Sequence, residues 1–327
     1  MTVAPEIQSL IDWASRIEGG YRDLPLPELR QAMAHELDEE LRRRGVVIEP
    51  VSAVTTHAVP VDGGAISVRV YTPPGEGPYP AFLHLHGGGF VFGTVESLFT
   101  EAKCAHICRT AECVVATVEY RLAPEFRFPT APEDCYSALR WLVQSADLLM
   151  LDPSRIAVGG ESAGGNLAAV MALMARDRGG PSLALQLLEV PVTDVSEAAE
   201  EYPSVALFGE GYGLDRAAMA MFSDFYLGDP ADGSDPYASP LLADDLTGVA
   251  PAHILTAELD ILRDSGEAYA RRLADDGVAT TLRRFTGHTH GSSALWQEWK
   301  PAQAWMDEVV GALRAAFAVR APVGDAT

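Results

Sequence analysis

Residues 155–166 read Arg155-Ile156-Ala157-Val158-Gly159-Gly160-Glu161-Ser162-Ala163-Gly164-Gly165-Asn166, and the fold follows from this stretch. Ile156 and Val158 indicate the end of a buried strand, and residues 167–174 are typical of a helix. Glycines two residues before and two residues after Ser162 let a strand and a helix approach each other without a Cβ clash. Such a turn exposes a serine hydroxyl above the sheet, so the pattern predicts a nucleophile at Ser162. The alternatives are a glycine-rich helix start or a phosphate-binding turn.

Strands and helices alternate on both sides of this turn. The sequence predicts strands at 81–86, 113–119, 155–161, 184–192, 252–258 and 279–285, with helices at 97–110, 132–145, 163–177, 265–275 and near 295–317. This alternation predicts a mostly parallel sheet covered by helices on both faces. Residues 54–61 and 66–70, separated by Gly63 and Gly64, predict an antiparallel hairpin at a sheet edge.

Two segments do not follow the alternation. Residues 5–45 predict two helices, the second of which ends at Gly45. They carry no evident chemistry, so we expect a packing or lid segment. Residues 195–245 are rich in aromatic residues, Gly and Pro, with a helix expected at 215–227. Sheet-like elements resume afterwards, so we interpret this stretch as an insertion into a single domain covering 1–327.

Composition limits the class of partner. The chain has 327 residues and a formal net charge of −22, which argues against nucleic acid and anionic membranes as partners. The acidic surface is otherwise explained by solubility alone. We expect a cytoplasmic protein, because the N-terminus lacks a basic and apolar leader and no apolar run reaches the ~18 residues of a membrane helix. The four cysteines lie between residues 104 and 135 without a metal-site spacing, so buried free thiols are expected.

A serine nucleophile needs a base and an acid, which in this kind of sheet follow it in the order acid, then histidine. Asp260 is favoured as the acid because it follows a predicted strand, where sites of α/β proteins are built. Asp264 is the rival, although Asp264-x-x-Glu267 also predicts a helix capping box. The base is His288 or His290, both expected in a glycine-flanked loop after the last strand.

Donors for an oxyanion are expected from backbone N–H groups. Gly87-Gly88-Gly89 follows a predicted buried strand, and glycine lets the backbone approach a ligand closely. Ala163, the residue after the nucleophile, would supply a further N–H. A phosphate cradle would normally be followed by a lysine or a helix start, whereas Phe90 follows here.

The chain resembles the bacterial branch of the hormone-sensitive-lipase family of α/β-hydrolases. The matching stretches are His86–Phe90, Glu119–Glu125, Asp152–Ile156, Gly160–Ala168, Glu258–Asp264 and Phe285–Gly291. The resemblance implies the α/β-hydrolase fold with a helical cap, here formed by residues 1–45 and an insertion at about 195–240. A homodimer through an edge strand or the last helix is only an analogy with the family.

The resemblance also implies a function. It assigns Ser162 as nucleophile, Asp260 as acid and His290 as base, and it places Gly88, Gly89 and Ala163 at the oxyanion hole. It implies hydrolysis of small-molecule acyl esters of short to medium chain, without cofactor or metal. The chain departs from the family at Glu161, where Asp is commoner, and at Ser292, where Phe often stands. The latter is similar to esterases that cleave acetyl esters of bulky aromatic alcohols.

We therefore predict a serine carboxylesterase that forms an acyl-enzyme. Amide deacetylation or lactone opening on the same triad is the alternative within the fold. A ligand-binding module on an inactive scaffold should lack part of the triad, whereas every candidate is present here. A peptidase of related fold usually carries a further large domain.

Overall fold

The computed structural model describes residues 3–21 and 24–318, without the side chains of residues 14–21. The predicted domain and cap also include residues 1–2, 22–23 and 319–327, which lie outside the described residues.

An eight-stranded sheet forms the centre of the chain. Its strands are β1 (Ala53–Val61), β2 (Gly64–Thr72), β3 (Tyr79–Leu85), β4 (Val114–Glu119), β5 (Leu151–Glu161), β6 (Leu185–Glu189), β7 (Ala252–Leu259) and β8 (Thr280–Thr289). Their order in the sheet is β1-β2-β4-β3-β5-β6-β7-β8. β1 and β2 form the predicted antiparallel hairpin, and the strands from β4 to β8 pair in parallel. The prediction of a mostly parallel sheet with an antiparallel edge is confirmed.

Helices connect the strands and cover both faces of the sheet. In the described residues they are α1 (Pro5–Tyr21), α2 (Leu26–Arg43), α3 (Leu98–Thr110), α4 (Thr130–Gln144), α5 (Ala146–Leu149), α6 (Ala163–Asp177), α7 (Pro203–Phe208), α8 (Arg216–Tyr226), α9 (Arg263–Asp275) and α10 (Lys300–Ala318). The N-termini of α3 and α8 are capped by side chains, because Ser97 accepts the N–H of Thr100 and Asp215 accepts the N–H of Ala218.

The alternation of side chains along a strand divides the core into two layers. Every residue of β3 is buried, which explains its continuous apolar sequence. Leu83 and Leu85 pack with α4 and α6, whereas Phe82 packs on the opposite face with α3 and α10. Residues at even positions near the end of β3 therefore point towards α3 and α10.

The two N-terminal helices are held against the loops that follow β3 and β4. Ile7 of α1 is buried in the layer of α3 and α10. Arg30 of α2 donates from Nε to the carbonyl oxygen of Val91 at 2.7 Å, and its guanidinium pairs with Glu125 at 2.7 Å. Arg30 thus joins α2 to the loop that contains Gly87-Gly88-Gly89.

The last strand is longer than the sequence predicts. β8 continues to Thr289 rather than ending near 285, because a register shift lets Thr289 pair with Leu259 of β7. The expectation that His288 follows the strand is therefore wrong, since His288 lies inside β8. β6 ends at Glu189, three residues earlier than predicted, and the chain turns there towards the insertion.

Two expectations from composition can be compared with the structure. Cys104, Cys108, Cys113 and Cys135 are free and buried, as predicted. Within the described ranges no helix combines the length and apolar character needed to cross a bilayer.

Candidate active site

Ser162 occupies the sharp turn that the sequence predicts. β5 ends at Glu161, α6 begins at Ala163, and Ser162 between them has φ 57° and ψ −117°. This conformation costs about 1–3 kcal/mol for a residue with a side chain. The turn is held by the N–H of Ser162, which donates to the carbonyl oxygen of Glu189 at 2.9 Å. A Cβ at Gly160 or Gly164 would overlap the carbonyl oxygen of Leu85, so both positions require glycine.

Asp260 and His290 converge on Ser162. Nε2 of His290 lies 3.1 Å from Oγ of Ser162, and Nδ1 of His290 lies 3.0 Å from Oδ2 of Asp260. Asp260 is buried and follows the end of β7, where Oδ1 accepts the N–H of Leu262 at 3.0 Å. A proton on Nδ1 shared with Asp260 leaves Nε2 as the acceptor for the serine hydroxyl.

His288 is placed away from Ser162. Its Nδ1 hydrogen bonds to Oγ of Ser292 at 2.9 Å, and its ring packs against Trp299 and Trp305. Burial lowers the pKa of His288 to about 4, so the ring is neutral near pH 7. Ser292, one of the two departures from the family pattern, also accepts the N–H of Thr289 and donates to its carbonyl oxygen. Ser292 therefore fixes the turn that carries His290.

Asp264 is not near the serine, and its expected capping box is absent from α9. Leu262 is the N-cap residue of α9 and makes no side-chain cap hydrogen bond. Asp264 instead accepts the N–H of Ser204 at 2.8 Å and pairs with Arg263. Glu267 pairs with Arg284. The capping-box prediction is wrong because the two carboxylates bond to α7, to Arg263 and to β8 rather than to backbone N–H groups at the start of α9.

The glycine loop after β3 lies beside the serine. The N–H of Gly87 donates to Oε1 of Glu161 at 3.1 Å, and the carbonyl oxygen of Gly88 accepts the N–H of Phe92 at 2.8 Å. In the part of the chain that the structure describes, the N–H groups of Gly88 and Gly89 donate to no other protein group. Together with the N–H of Ala163 at the start of α6, they leave backbone donors next to Ser162.

Phe222 of α8 covers this loop. A Cβ at Gly89 would overlap the ring of Phe222, so the aromatic ring touches the backbone directly. Phe90 stacks on Tyr226, one turn further along α8, with ring centroids 3.8 Å apart. The insertion therefore packs against the loop through aromatic side chains.

Two cavities of different size meet at Ser162. A cleft of about 380 Å³ is lined by His290 and by residues of the N-terminal helices, including Trp13, Met33 and Leu37. A pocket of about 20 Å³ is lined by Val192, Val195 and Met219, and His290 is not among its lining residues. Gly89, Ser162, Leu214 and Phe222 line both cavities.

A third cavity lies beyond the small pocket. It has a volume of about 300 Å³ and shares Val195, Met219 and Ser223 with the small pocket. These three side chains therefore separate it from the space at Ser162.

Sequence reasoning did not assign three buried polar residues next to the site. Lys103, His84 and Glu189 are buried and surround Glu161, the residue before Ser162. The available signal was weak, because a single lysine within the helix at 98–110 is typical of a solvent-exposed face.

Comparisons with known proteins agree with this geometry. A family model described as the alpha/beta hydrolase fold matches residues 82–293. The chain is 36% identical to an ethyl acetate hydrolase of Pseudomonas putida, over 96% of this chain and 99% of that protein. It is 42% identical to the carboxylic ester hydrolase LipN of Mycobacterium tuberculosis, over 80% of this chain and 70% of that protein.

A solved structure is similar over nearly the whole chain. It is a hyperthermophilic esterase from the archaeon Pyrobaculum calidifontis, with a TM-score of 0.88 and 34% identity. The match covers 96% of this chain and 99% of that one.

Proposed function

The chain belongs to the α/β-hydrolase family, in its hormone-sensitive-lipase-like branch, and hydrolyses carboxylic esters; we propose that Ser162, His290 and Asp260 form its catalytic triad. The observation that carries this proposal is the continuous series of contacts from Oγ of Ser162 through the imidazole to Asp260, at 3.1 and 3.0 Å. Both distances lie within the range of about 2.6–3.2 Å that a general base requires.

The mechanism proceeds through an acyl-enzyme. Nε2 of His290 takes the proton of Ser162 as Oγ attacks the ester carbonyl carbon, and Asp260 stabilises the imidazolium. The N–H groups of Gly88, Gly89 and Ala163 donate to the oxyanion of the tetrahedral intermediate. His290 then returns the proton to the leaving alkoxide, and a water molecule activated by the same imidazole releases the acid.

The return of the proton to the leaving alkoxide indicates which part of the ester each of the two cavities at Ser162 holds. The alkoxide must leave within hydrogen-bond reach of Nε2 of His290, so the alcohol part of the ester occupies the cleft that His290 lines. The acyl part then points into the pocket that Val192, Val195 and Met219 line.

The sizes of the cavities favour a small acyl group and a large alcohol. A pocket of about 20 Å³ holds little more than one water-sized group, which is the size of a methyl group. The cleft of about 380 Å³ falls within the range of typical ligand sites. Acetyl and propionyl esters of bulky apolar alcohols are therefore the favoured substrates, and the name of the relative from Pseudomonas putida, an ethyl acetate hydrolase, supports a short acyl group.

The N-terminal helices and the insertion act as the cap in this proposal. Trp13, Met33 and Leu37 form the apolar wall of the alcohol cleft, and Phe222 and Met219 of α8 border the acyl pocket. A cytoplasmic location, the absence of a cofactor and a homodimer stay predictions from the sequence.

Covalent labelling tests the triad. A fluorophosphonate probe should label the wild type at Ser162, and Ser162→Ala should reduce kcat by about 10⁴- to 10⁶-fold while the protein remains folded. Peptide mapping after labelling identifies the modified residue, and circular dichroism checks the fold. Labelling of Ser292 or Ser293 instead of Ser162 would refute the assignment. Turnover of p-nitrophenyl acetate against p-nitroacetanilide distinguishes an esterase from an amide deacetylase.

A further inference from the structure

A cluster of buried charges contacts the segment after β3 that contains Gly87, Gly88 and Gly89, which we name the oxyanion loop. The cluster consists of His84, Lys103, Glu161 and Glu189, which we name the sub-loop cluster. His84, Glu161 and Glu189 stand at the ends of β3, β5 and β6, three neighbouring strands, and all point towards α3 and α10. The triad mechanism uses none of these side chains.

Lys103 joins the two carboxylates. Its Nζ lies 2.8 Å from Oε2 of Glu161 and 2.7 Å from Oε1 of Glu189, and the lysine is only 1% exposed. Oε2 of Glu161 also lies 3.0 Å from Nε2 of His84, and Oε2 of Glu189 accepts the indole N–H of Trp305 at 2.7 Å. The cluster is therefore bonded to β3, β5, β6, α3 and α10 at once.

Neighbouring groups shift the pKa values of Glu161, Lys103 and His84. Burial alone would raise the pKa of Glu161, but Lys103 and His84 hold it well below its usual range. Burial opposes charge on Lys103 and His84 too, yet Glu161 and Glu189 raise the pKa of Lys103, and Cys104 with Glu161 raises that of His84 to about 10. Lys103 therefore faces Glu161 and Glu189 as a cation, and His84 completes the contacts of Glu161.

A buried ion cluster is weak support for stability, because well-packed apolar side chains often stabilise a core as well. The contacts of the sub-loop cluster indicate a role in positioning the backbone near Ser162. Oε1 of Glu161, the oxygen that Lys103 and His84 leave free, accepts the N–H of Gly87, the residue before Gly88. The carbonyl oxygen of Glu189 accepts the N–H of Ser162, the residue before Ala163. Glu161 thus contacts one segment that supplies oxyanion donors through its carboxylate, and Glu189 contacts the other through its backbone.

We propose that Glu161 and Lys103 are positioning residues of the oxyanion hole: Glu161 fixes the loop through Gly87, and Lys103 fixes Glu161 against Glu189. The inference rests on the proposed function of Gly88, Gly89 and Ala163. Donors must lie about 2.7–3.1 Å from the developing oxyanion, so a small displacement of the loop weakens transition-state binding more than substrate binding.

The test compares substrate with an analogue of the tetrahedral intermediate. A trifluoromethyl ketone forms a hemiketal with the serine, and its oxyanion requires the hole, whereas KM reports mainly the substrate pockets. Glu161→Gln and Lys103→Met should each lower kcat by about 10- to 100-fold and raise the Ki of the ketone by the same factor, with KM changed less than about threefold. Glu161→Asp keeps the charge and should recover part of both losses.

Glu267→Gln is the matched control, because Glu267 is a buried carboxylate that pairs with the half-exposed Arg284 and bonds neither the oxyanion loop nor Ser162. It should lower the melting temperature without changing the Ki of the ketone. If Glu161→Gln fails to fold, Lys103→Met and Glu161→Asp give the same comparison.

Four outcomes decide the question. Parallel losses in kcat and in ketone affinity support the inference. Folded variants with wild-type kcat and Ki, or a loss of kcat without a change in Ki, overturn it. A wild type that neither binds the ketone nor reacts with a fluorophosphonate at Ser162 contradicts the triad itself, so the two proposals fail in distinguishable ways.

Discussion

Met219 should set the length of acyl chain that the enzyme accepts. Its side chain lies between the acyl pocket of about 20 Å³ and the third cavity of about 300 Å³ beyond it, and it lines both. Val195 and Ser223 line both cavities as well, but the unbranched side chain of methionine is the longest of the three. Met219→Ala should therefore join the two cavities and extend the acyl site away from Ser162.

The magnitude follows from the methylene groups that the joined cavity admits. An octanoyl chain has four more methylenes than a butyryl chain, and each contributes about 0.8 kcal/mol when buried, so full burial gives about 3 kcal/mol. This corresponds to roughly 200-fold in kcat/KM. Part of it is lost to chain ordering, so we expect the ratio of kcat/KM for octanoate to that for butyrate to rise by at least about 10-fold.

The assay measures kcat/KM for p-nitrophenyl esters from acetate to decanoate. Met221→Ala is the matched control, because Met221 lies on the same helix, is 38% exposed and lines neither cavity. Met219→Ala should leave the relative rates for acetate esters of small and bulky alcohols unchanged, since the alcohol cleft does not contain Met219. An octanoate-to-butyrate ratio within twofold of wild type, in a folded variant, would show that the acyl chain occupies the other cavity.

The remaining predictions concern the two histidines of the last strand and its loop. His290→Ala should lower kcat/KM by about 10³-fold or more, whereas His288→Ala should cost far less; the reverse order with one p-nitrophenyl ester would exclude His290 as the base. Because burial lowers the pKa of His288 from 6.5 to about 4, the unfolded chain binds the additional proton, and stability should fall as pH drops through this window, by about 3 kcal/mol at most. Urea unfolding at pH 7 and pH 4.5 should show a smaller loss in His288→Gln, and an equal loss in both proteins would contradict this assignment.

The elements that the sequence predicted well are those whose pattern comes from burial. β3, α6 and the hairpin of β1 and β2 lie close to their predicted bounds because apolar runs and glycine turns reflect the sheet directly. Strand ends are different, since pairing with a neighbour decides them. The continuation of β8 through His288 depends on a register shift against β7 that no local pattern of residues 280–289 reveals.

In the candidate site, too, some features follow from the local sequence and others depend on contacts with distant segments. The order of Ser162, Asp260 and His290 along the chain, together with their positions after strands, was sufficient to select residues that the structure brings together. The choice between His288 and His290 needed the family resemblance, because the contacts of His288 with Trp299 and Trp305 depend on α10 and its preceding loop. The sub-loop cluster was not predictable, since its charges come from segments far apart in the chain.

The contacts of Arg30 restrict how the parts of this protein can be exchanged with those of its relatives. One guanidinium donates to the carbonyl oxygen of Val91, in the loop that contains Gly87-Gly88-Gly89, and to the carboxylate of Glu125 after β4. In the proposed function, Arg30 therefore borders the alcohol cleft and supports the oxyanion loop. A chimaera that takes its N-terminal helices from a relative without an arginine at this position would receive a new substrate wall and lose a support of the oxyanion loop. We therefore expect substrate range and catalytic rate to be coupled in this segment, so that a change in one also changes the other.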